Sequence, residues 1–202
     1  MTTPRPSPSP DVELHRKVIL VLDTVESVRL MESDESGFIQ RWRRFAHEAR
    51  NLVVPTHGGR FHRSTGDGFL LAFDQATAAV HAAFDLLRRC GEGNRQLGAE
   101  PPLQLQVRIA AHAAHYIADE FDIYGSGVNL ASRLLALAGP GEFVVSAALR
   151  DLLAGSGTRL KDLGMHRLRH LSRPTHAFRV LAAGPAAGPD AQPPSAAGYA
   201  GS

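Results

Sequence analysis

One cysteine, Cys90, stands among 202 residues, so no disulfide can form within the chain and a reducing compartment is expected. No apolar run approaches the ~20 residues needed to span a bilayer. The longest strand-like run, Val18-Ile19-Leu20-Val21-Leu22, has the length of a buried strand. The Gly-x-x-x-x-Gly-Lys-Ser/Thr pattern of a P-loop is missing, and so is the aromatic pattern of an RNA-binding sheet. Charge of one sign is also missing: 22 Lys and Arg face 20 acidic residues, a net of +2, which leaves no electrostatic footprint for nucleic acid. Ten histidines are present, but none has a ligand spacing such as His-Glu-x-x-His. His112 and His115 lie three apart along a predicted strand and so point to opposite faces. These absences predict a cytoplasmic protein with no membrane span, no nucleic-acid partner and no histidine-held metal.

What is present describes one soluble globular domain, with 44% hydrophobic and 21% charged residues. Residues 1–11 are rich in Ser, Pro and Thr, and residues 184–202 in Ala, Gly and Pro. Neither end offers enough apolar surface to offset its ordering entropy, so both are expected to be disordered. The second reads as a linker to further domains of a longer protein. The folded domain is expected over residues 12–183.

Within it, apolar periodicity gives an α+β domain with a βαββαβ core followed by extra C-terminal strands and helices. A buried strand at 17–22 ends in Asp23. Helix 35–50 carries Phe38, Trp42, Phe45 and Ala49 on one face, with Ser33 as its N-cap and the Arg41-Trp42-Arg43-Arg44 cluster on a solvated or partner-facing side. Strands near 60–64 and 69–73 flank the turn Thr65-Gly66-Asp67-Gly68, whose Asp-Gly pair suits a type I′ hairpin. Helix 75–90 is expected to be capped by Asp74 and stopped by Gly91. A strand over 103–112 and a helix over 127–138 follow, then shorter elements at 142–152, 159–171 and 176–181.

Two segments far apart carry the chemistry. Residues 63–73 read Arg-Ser-Thr-Gly-Asp-Gly-Phe-Leu-Leu-Ala-Phe, which puts a carboxylate at the tip of a turn between strands. Residues 121–134 read Phe-Asp-Ile-Tyr-Gly-Ser-Gly-Val-Asn-Leu-Ala-Ser-Arg-Leu, which puts an acid, an amide and a guanidinium along a loop entering a helix. Asp67 alone serves a hairpin, and Asp23 alone can cap the next element. In a βαββ unit, however, the end of the first strand and the tip of the hairpin can lie side by side. Two carboxylates there can bridge two divalent ions about 3.5–4 Å apart. An Asn–Arg pair can neutralise a phosphoryl transition state. Phosphoryl or nucleotidyl transfer is the chemistry these residues suit.

From Lys17 to Val180 the chain resembles the catalytic domain of class III nucleotidyl cyclases, the adenylate and guanylate cyclase family. The resemblance rests on Leu22-Asp23, on Ser64-Thr65-Gly66-Asp67-Gly68-Phe69, and on Asp122-Ile123-Tyr124-Gly125 leading into Val128-Asn129-Leu130-Ala131-Ser132-Arg133-Leu134. It continues through Pro140-Gly141-Glu142, Asp162-Leu163-Gly164 and Arg173-Pro174. It implies a ferredoxin-like core and a head-to-tail homodimer with active sites across the interface. Asp23 and Asp67 would hold two Mg²⁺ or Mn²⁺ ions, and Arg108 would contact the triphosphate. From the partner chain Asn129 would position the ribose and Arg133 would stabilise the transition state. Arg169 matches a phosphate-binding position. Arg63 stands where the family's adenylate cyclases carry a base-reading Lys, and Asp122 matches its partner. Adenine pairs an acceptor with a donor on the edge read, which suits a cation plus a carboxylate. ATP, giving cyclic AMP, is therefore the expected substrate. The alternatives are a pyrimidine nucleotide (CTP or UTP), or a pseudo-cyclase acting as a dimerisation or nucleotide-sensing module.

The departures from the family pattern are specific. Glu26 and Val28 replace a Gly and a Thr of a phosphate-holding turn, and Ala110 and Ala114 replace glycines of the fourth strand. Glu26 adds negative charge near the triphosphate and forgoes the freedom of a Gly.

Overall fold

The computed structural model describes residues 14–118 and 123–182. The tails expected at 1–11 and 184–202, together with Asp122, lie outside the described residues. The run at 18–22 forms the middle of β1 (Leu14–Thr24). Its side chains alternate: Val18, Leu20 and Leu22 enter one core, and Ile19 and Val21 enter a second on the opposite face. A strand apolar on both sides is what a sheet covered on both faces requires.

The remaining strands are β2 (Arg60–Ser64), β3 (Gly68–Phe73), β4 (Val107–Ala118), β5 (Ile123–Tyr124), β6 (Phe143–Ser146), β7 (Leu160–His166) and β8 (Thr175–Val180). The described strands form one eight-stranded sheet in the order β2-β3-β1-β4-β6-β8-β7, with β5 pairing β4. Its first half, β2-β3-β1-β4, is antiparallel throughout and has the ferredoxin-like order. Strands β6, β8 and β7 are the expected C-terminal extension.

Helices α1 (Ser27–Glu48) and α3 (Ala76–Gln96) cover one face through Phe38, Phe45, Ala79 and Leu86. Helix α2 (Val54–Thr56) is a single turn joined to α1 through a π-helical segment, Ala49–Val53. Helix α4 (Ser126–Leu134) covers the other face through Val128, Ala131 and Leu134. Helix α5 (Ala147–Leu152) returns to the first face through Leu149.

Several element boundaries differ from the sequence expectation. Helix α1 begins at Ser27 and kinks at Asp34 (φ −158°, ψ 75°). The N-cap of the longer part is Asp34, not Ser33: Asp34 Oδ1 accepts the Gly37 N–H at 3.0 Å, while the Ser33 hydroxyl donates back to Arg29. Asp34 also pairs with Arg41 at 3.1 Å, so Arg41 is buried rather than solvated. Trp42 is part-buried and stacks on Phe69 at 4.8 Å. Asp74 is not the cap of α3; it pairs with Lys17, and Gln75 occupies the N-cap. Gly91 does not stop α3. Asn94 exchanges two hydrogen bonds with the backbone of Leu105, at 2.8 and 2.9 Å, and so extends the helix by tying its last turn to the approach to β4. The chain turns instead at Gly98 (φ 60°). Pro101–Leu103 form a 3₁₀ turn, which delays β4 to Val107. Cys90 is buried, its thiol donating to the Leu105 carbonyl, and burial pushes its pKa up to about 12.

Candidate active site

Asp23 is the next-to-last residue of β1. It stands opposite Gly68 on β3 and opposite Arg108 on β4. Leu22 and Ile109 face the α1/α3 core, so Asp23 and Arg108 project on the α4 side of the sheet. There Arg108 Nη2 donates to Asp23 Oδ2 at 2.8 Å, with both side chains about two-thirds buried (29% and 33% exposed). Arg108 Nε is buried and has no hydrogen-bond partner among the described residues.

Gly68 explains why Asp67 reaches this place. A Cβ at Gly68 would lie 2.4 Å from the Leu22 carbonyl oxygen and 3.4 Å from Asp23 Cα. Only glycine lets the hairpin press this closely on β1. Asp67 is then held by Thr24, whose N–H and hydroxyl both donate to the Asp67 carbonyl, at 3.1 and 2.8 Å. Within the hairpin the positive φ lies on Gly66 (88°) and not on Asp67, so the turn is not type I′.

Glu26 sits at the entry to α1 in the left-handed conformation (φ 52°, ψ 37°). The backbone thus takes the shape a glycine would take, with a side chain attached. That side chain accepts from Arg29 Nε at 2.7 Å, and Arg29 also donates to the Pro102 carbonyl at 3.2 Å. Val28 is 65% exposed and brings no hydroxyl to this turn.

A second group of the expected residues lies on α4 and the loops beside it. Burial of Val128, Ala131 and Leu134 leaves Asn129 and Arg133 exposed one turn apart on the outer face. Helix α4 lies close on β4 because residue 127 is glycine: a Cβ there would come within 2.1 Å of the Ala114 Cβ. Ala114, one of the departures, is accommodated in this way, and Ala110 is fully buried in the α4-side core. Leu168 anchors the β7–β8 connection to the same core and leaves its neighbour Arg169 exposed. Arg63 is exposed on β2, in register with Leu70.

The structure therefore brings together Asp23, Asp67 and Arg108. Among the described residues no hydrogen bond or ion pair joins them to Asn129, Arg133 or Arg169. Thr24 was not among the residues expected from the sequence. A polar residue closing a buried strand directly after Asp23 was its only signal. His112 Nδ1 lies 2.7 Å from the Ser146 hydroxyl, at a cleft of about 340 Å³ that Arg173 and His176 also line.

No protein-family model matches the chain. "Putative adenylate cyclase 3" of Rhizobium meliloti is 32% identical over 163 residues, which are 78% of this chain and 27% of that relative. The chain thus spans about a quarter of that relative's length. The solved adenylate/guanylate cyclase/hydrolase from Silicibacter pomeroyi superposes with a TM-score of 0.74 at 27% identity, covering 84% of this chain and 98% of that one. The adenylyl cyclase CyaB from P. aeruginosa superposes with a TM-score of 0.75 at 21% identity, covering 85% and 97%, a likeness of fold alone. Among the described residues no helix is long and apolar enough to cross a membrane.

Proposed function

Because the chain carries a catalytic domain of the class III nucleotidyl cyclase family, we propose that it converts ATP to 3′,5′-cyclic AMP and pyrophosphate. The observation that carries this reading is the placement of two carboxylates and one guanidinium, Asp23, Asp67 and Arg108, where β1, the β2–β3 hairpin and β4 meet. Carboxylate oxygens are hard donors, so Asp23 and Asp67 fit two Mg²⁺ or Mn²⁺ ions. Bound there, such ions would supply activation of the attacking oxygen and stabilisation of the leaving one.

The chain's own residues do the rest. Arg108 takes the triphosphate charge beside Asp23. Asn129 and Arg133 face outward and are not joined to the carboxylates within one chain, which supports a homodimer in which a second copy supplies them. Asn129 would orient the ribose so that its 3′-oxygen lines up with the α-phosphorus. Arg133 would neutralise charge as the bond to pyrophosphate breaks. Arg169 adds a further cation for the phosphates. Arg63 and Asp122 read the base, the guanidinium donating to adenine N1 and the carboxylate accepting from N6. Arg63 in place of Lys makes this edge the point at which a smaller base competes, because guanidinium is planar and longer in reach.

The test is to incubate the purified chain with Mn²⁺ or Mg²⁺ and each of ATP, GTP, CTP and UTP separately, and to identify products by mass. Cyclic AMP is the expected product. Cyclic CMP or cyclic UMP would keep the chemistry and replace the substrate. No product from a protein shown to be dimeric would overturn the enzyme reading in favour of a nucleotide-sensing module.

A further inference from the structure

Asp23 and Arg108 are direct cross-strand neighbours, so the backbone ladder between β1 and β4 fixes their separation whatever the site contains. The Arg108 guanidinium occupies the Asp23 carboxylate, Nη2 donating to Oδ2 at 2.8 Å. The same guanidinium leaves its buried Nε without a partner among the described residues. Its hydrogen-bonding capacity is therefore only partly used by Asp23.

We propose that Arg108 is a placeholder for the divalent cation: it holds the Asp23 carboxylate in the cation-free chain, and is displaced to the nucleotide phosphates when a cation takes Asp23. This rests on the reading of Asp23 and Asp67 as cation ligands. A doubly charged ion outcompetes a single guanidinium for a carboxylate, and the released guanidinium stays beside the site on its fixed strand. Cation and nucleotide then favour each other's binding, because each relieves the other of the Asp23–Arg108 pair. Cation binding to the nucleotide-free chain is correspondingly weakened by that pair.

The test titrates Mn²⁺ alone into the full chain without nucleotide and follows free Mn²⁺ by electron paramagnetic resonance. Arg108→Met removes the charge and keeps most of the length; it should bind Mn²⁺ about two- to fivefold more tightly than the unaltered chain, the range a partly exposed pair can supply. Arg108→Lys restores a competing cation and should return the affinity toward that of the unaltered chain. Asp67→Asn, which leaves the pair intact, should weaken binding. Unchanged or weaker binding in Arg108→Met, with Asp67→Asn still weakened, would overturn the placeholder role and leave the cation site standing. No Mn²⁺ binding by any of these chains, each folded by circular dichroism, would overturn both.

Discussion

Thr24 donates twice to one atom: its backbone N–H and its hydroxyl both reach the Asp67 carbonyl oxygen, at 3.1 and 2.8 Å. The hydroxyl is 97% buried with its residue, so this contact is held away from water. It fixes the tip of the hairpin against the end of β1, where Asp23 stands. Thr24→Val keeps the shape, removes the hydroxyl bond and leaves the N–H bond. Stability should fall by about 1 kcal/mol. If Asp67 is positioned by this bond, the Mn²⁺ concentration for half-maximal cyclisation should rise several-fold, and Thr24→Ser should restore it. An unchanged Mn²⁺ requirement would assign Thr24 to folding alone.

Glu26 pairs an unfavourable backbone with a favourable side-chain contact. Its φ of 52° is disfavoured for any side chain, by about 1–2 kcal/mol for the left-handed region. The exposed pair with Arg29 returns at most about 1 kcal/mol. Glu26→Gly should therefore raise the melting temperature by about 2–4 °C. It also removes a negative charge at the entry to α1, so the KM for nucleotide should fall while kcat changes little. A lower melting temperature would mean that the Arg29 contact outweighs the backbone strain.

Much of this arrangement was legible in the sequence, because the residues that build it are locally unambiguous. The run Val18 to Leu22 is apolar on both faces and can only be a covered strand, and Gly66-Asp67-Gly68 can only be a turn. What was not legible depends on partners distant in sequence. Gly91 is a helix stop by local rules, yet Asn94 gains two bonds to Leu105 that carry α3 past it. Arg41 looks solvated within a basic cluster, yet Asp34, seven residues away, draws it inward and kinks α1 as it does so. Arg108 was expected to face only phosphate, and its pairing with Asp23 appears only once β1 and β4 are set in register.

The proposed sharing of each site between two chains makes a distinctive mixing experiment. Asp67→Ala removes one carboxylate, and Arg133→Ala removes the outward guanidinium of α4. Each chain alone should be inactive. In a head-to-tail homodimer, a mixed dimer has one site with all wild-type groups and one lacking both. Random mixing of equal amounts should then restore about a quarter of wild-type activity, because half the dimers are mixed and each has one working site. No recovery from mixed dimers demonstrated by mass would place Asp67 and Arg133 in the same chain's site, or outside it.

His112 gives a pH dependence whose sign follows from its surroundings. Ser146 Oγ accepts the Leu149 N–H at 3.3 Å and lies 2.7 Å from His112 Nδ1, a hydrogen bond that the neutral ring can make in either tautomer. Burial lowers the His112 pKa below its ordinary value of 6.5. Between the lowered folded value and the ordinary unfolded one, the unfolded chain binds more protons than the folded one. Stability therefore rises with pH across that window, and acidification from about pH 6.5 downward costs stability until the folded ring itself protonates. The carboxylates with lowered pKa, Asp34, Asp85 and Asp162, act in the same direction but only near and below their ordinary value of 3.8, so they add little between about pH 5 and pH 7.5. Melting temperatures measured from about pH 7.5 to pH 5 should fall for the unaltered chain, and fall less steeply for His112→Gln, whose amide can still accept from Ser146 and does not titrate. An equal slope in the two proteins would assign the loss to other histidines.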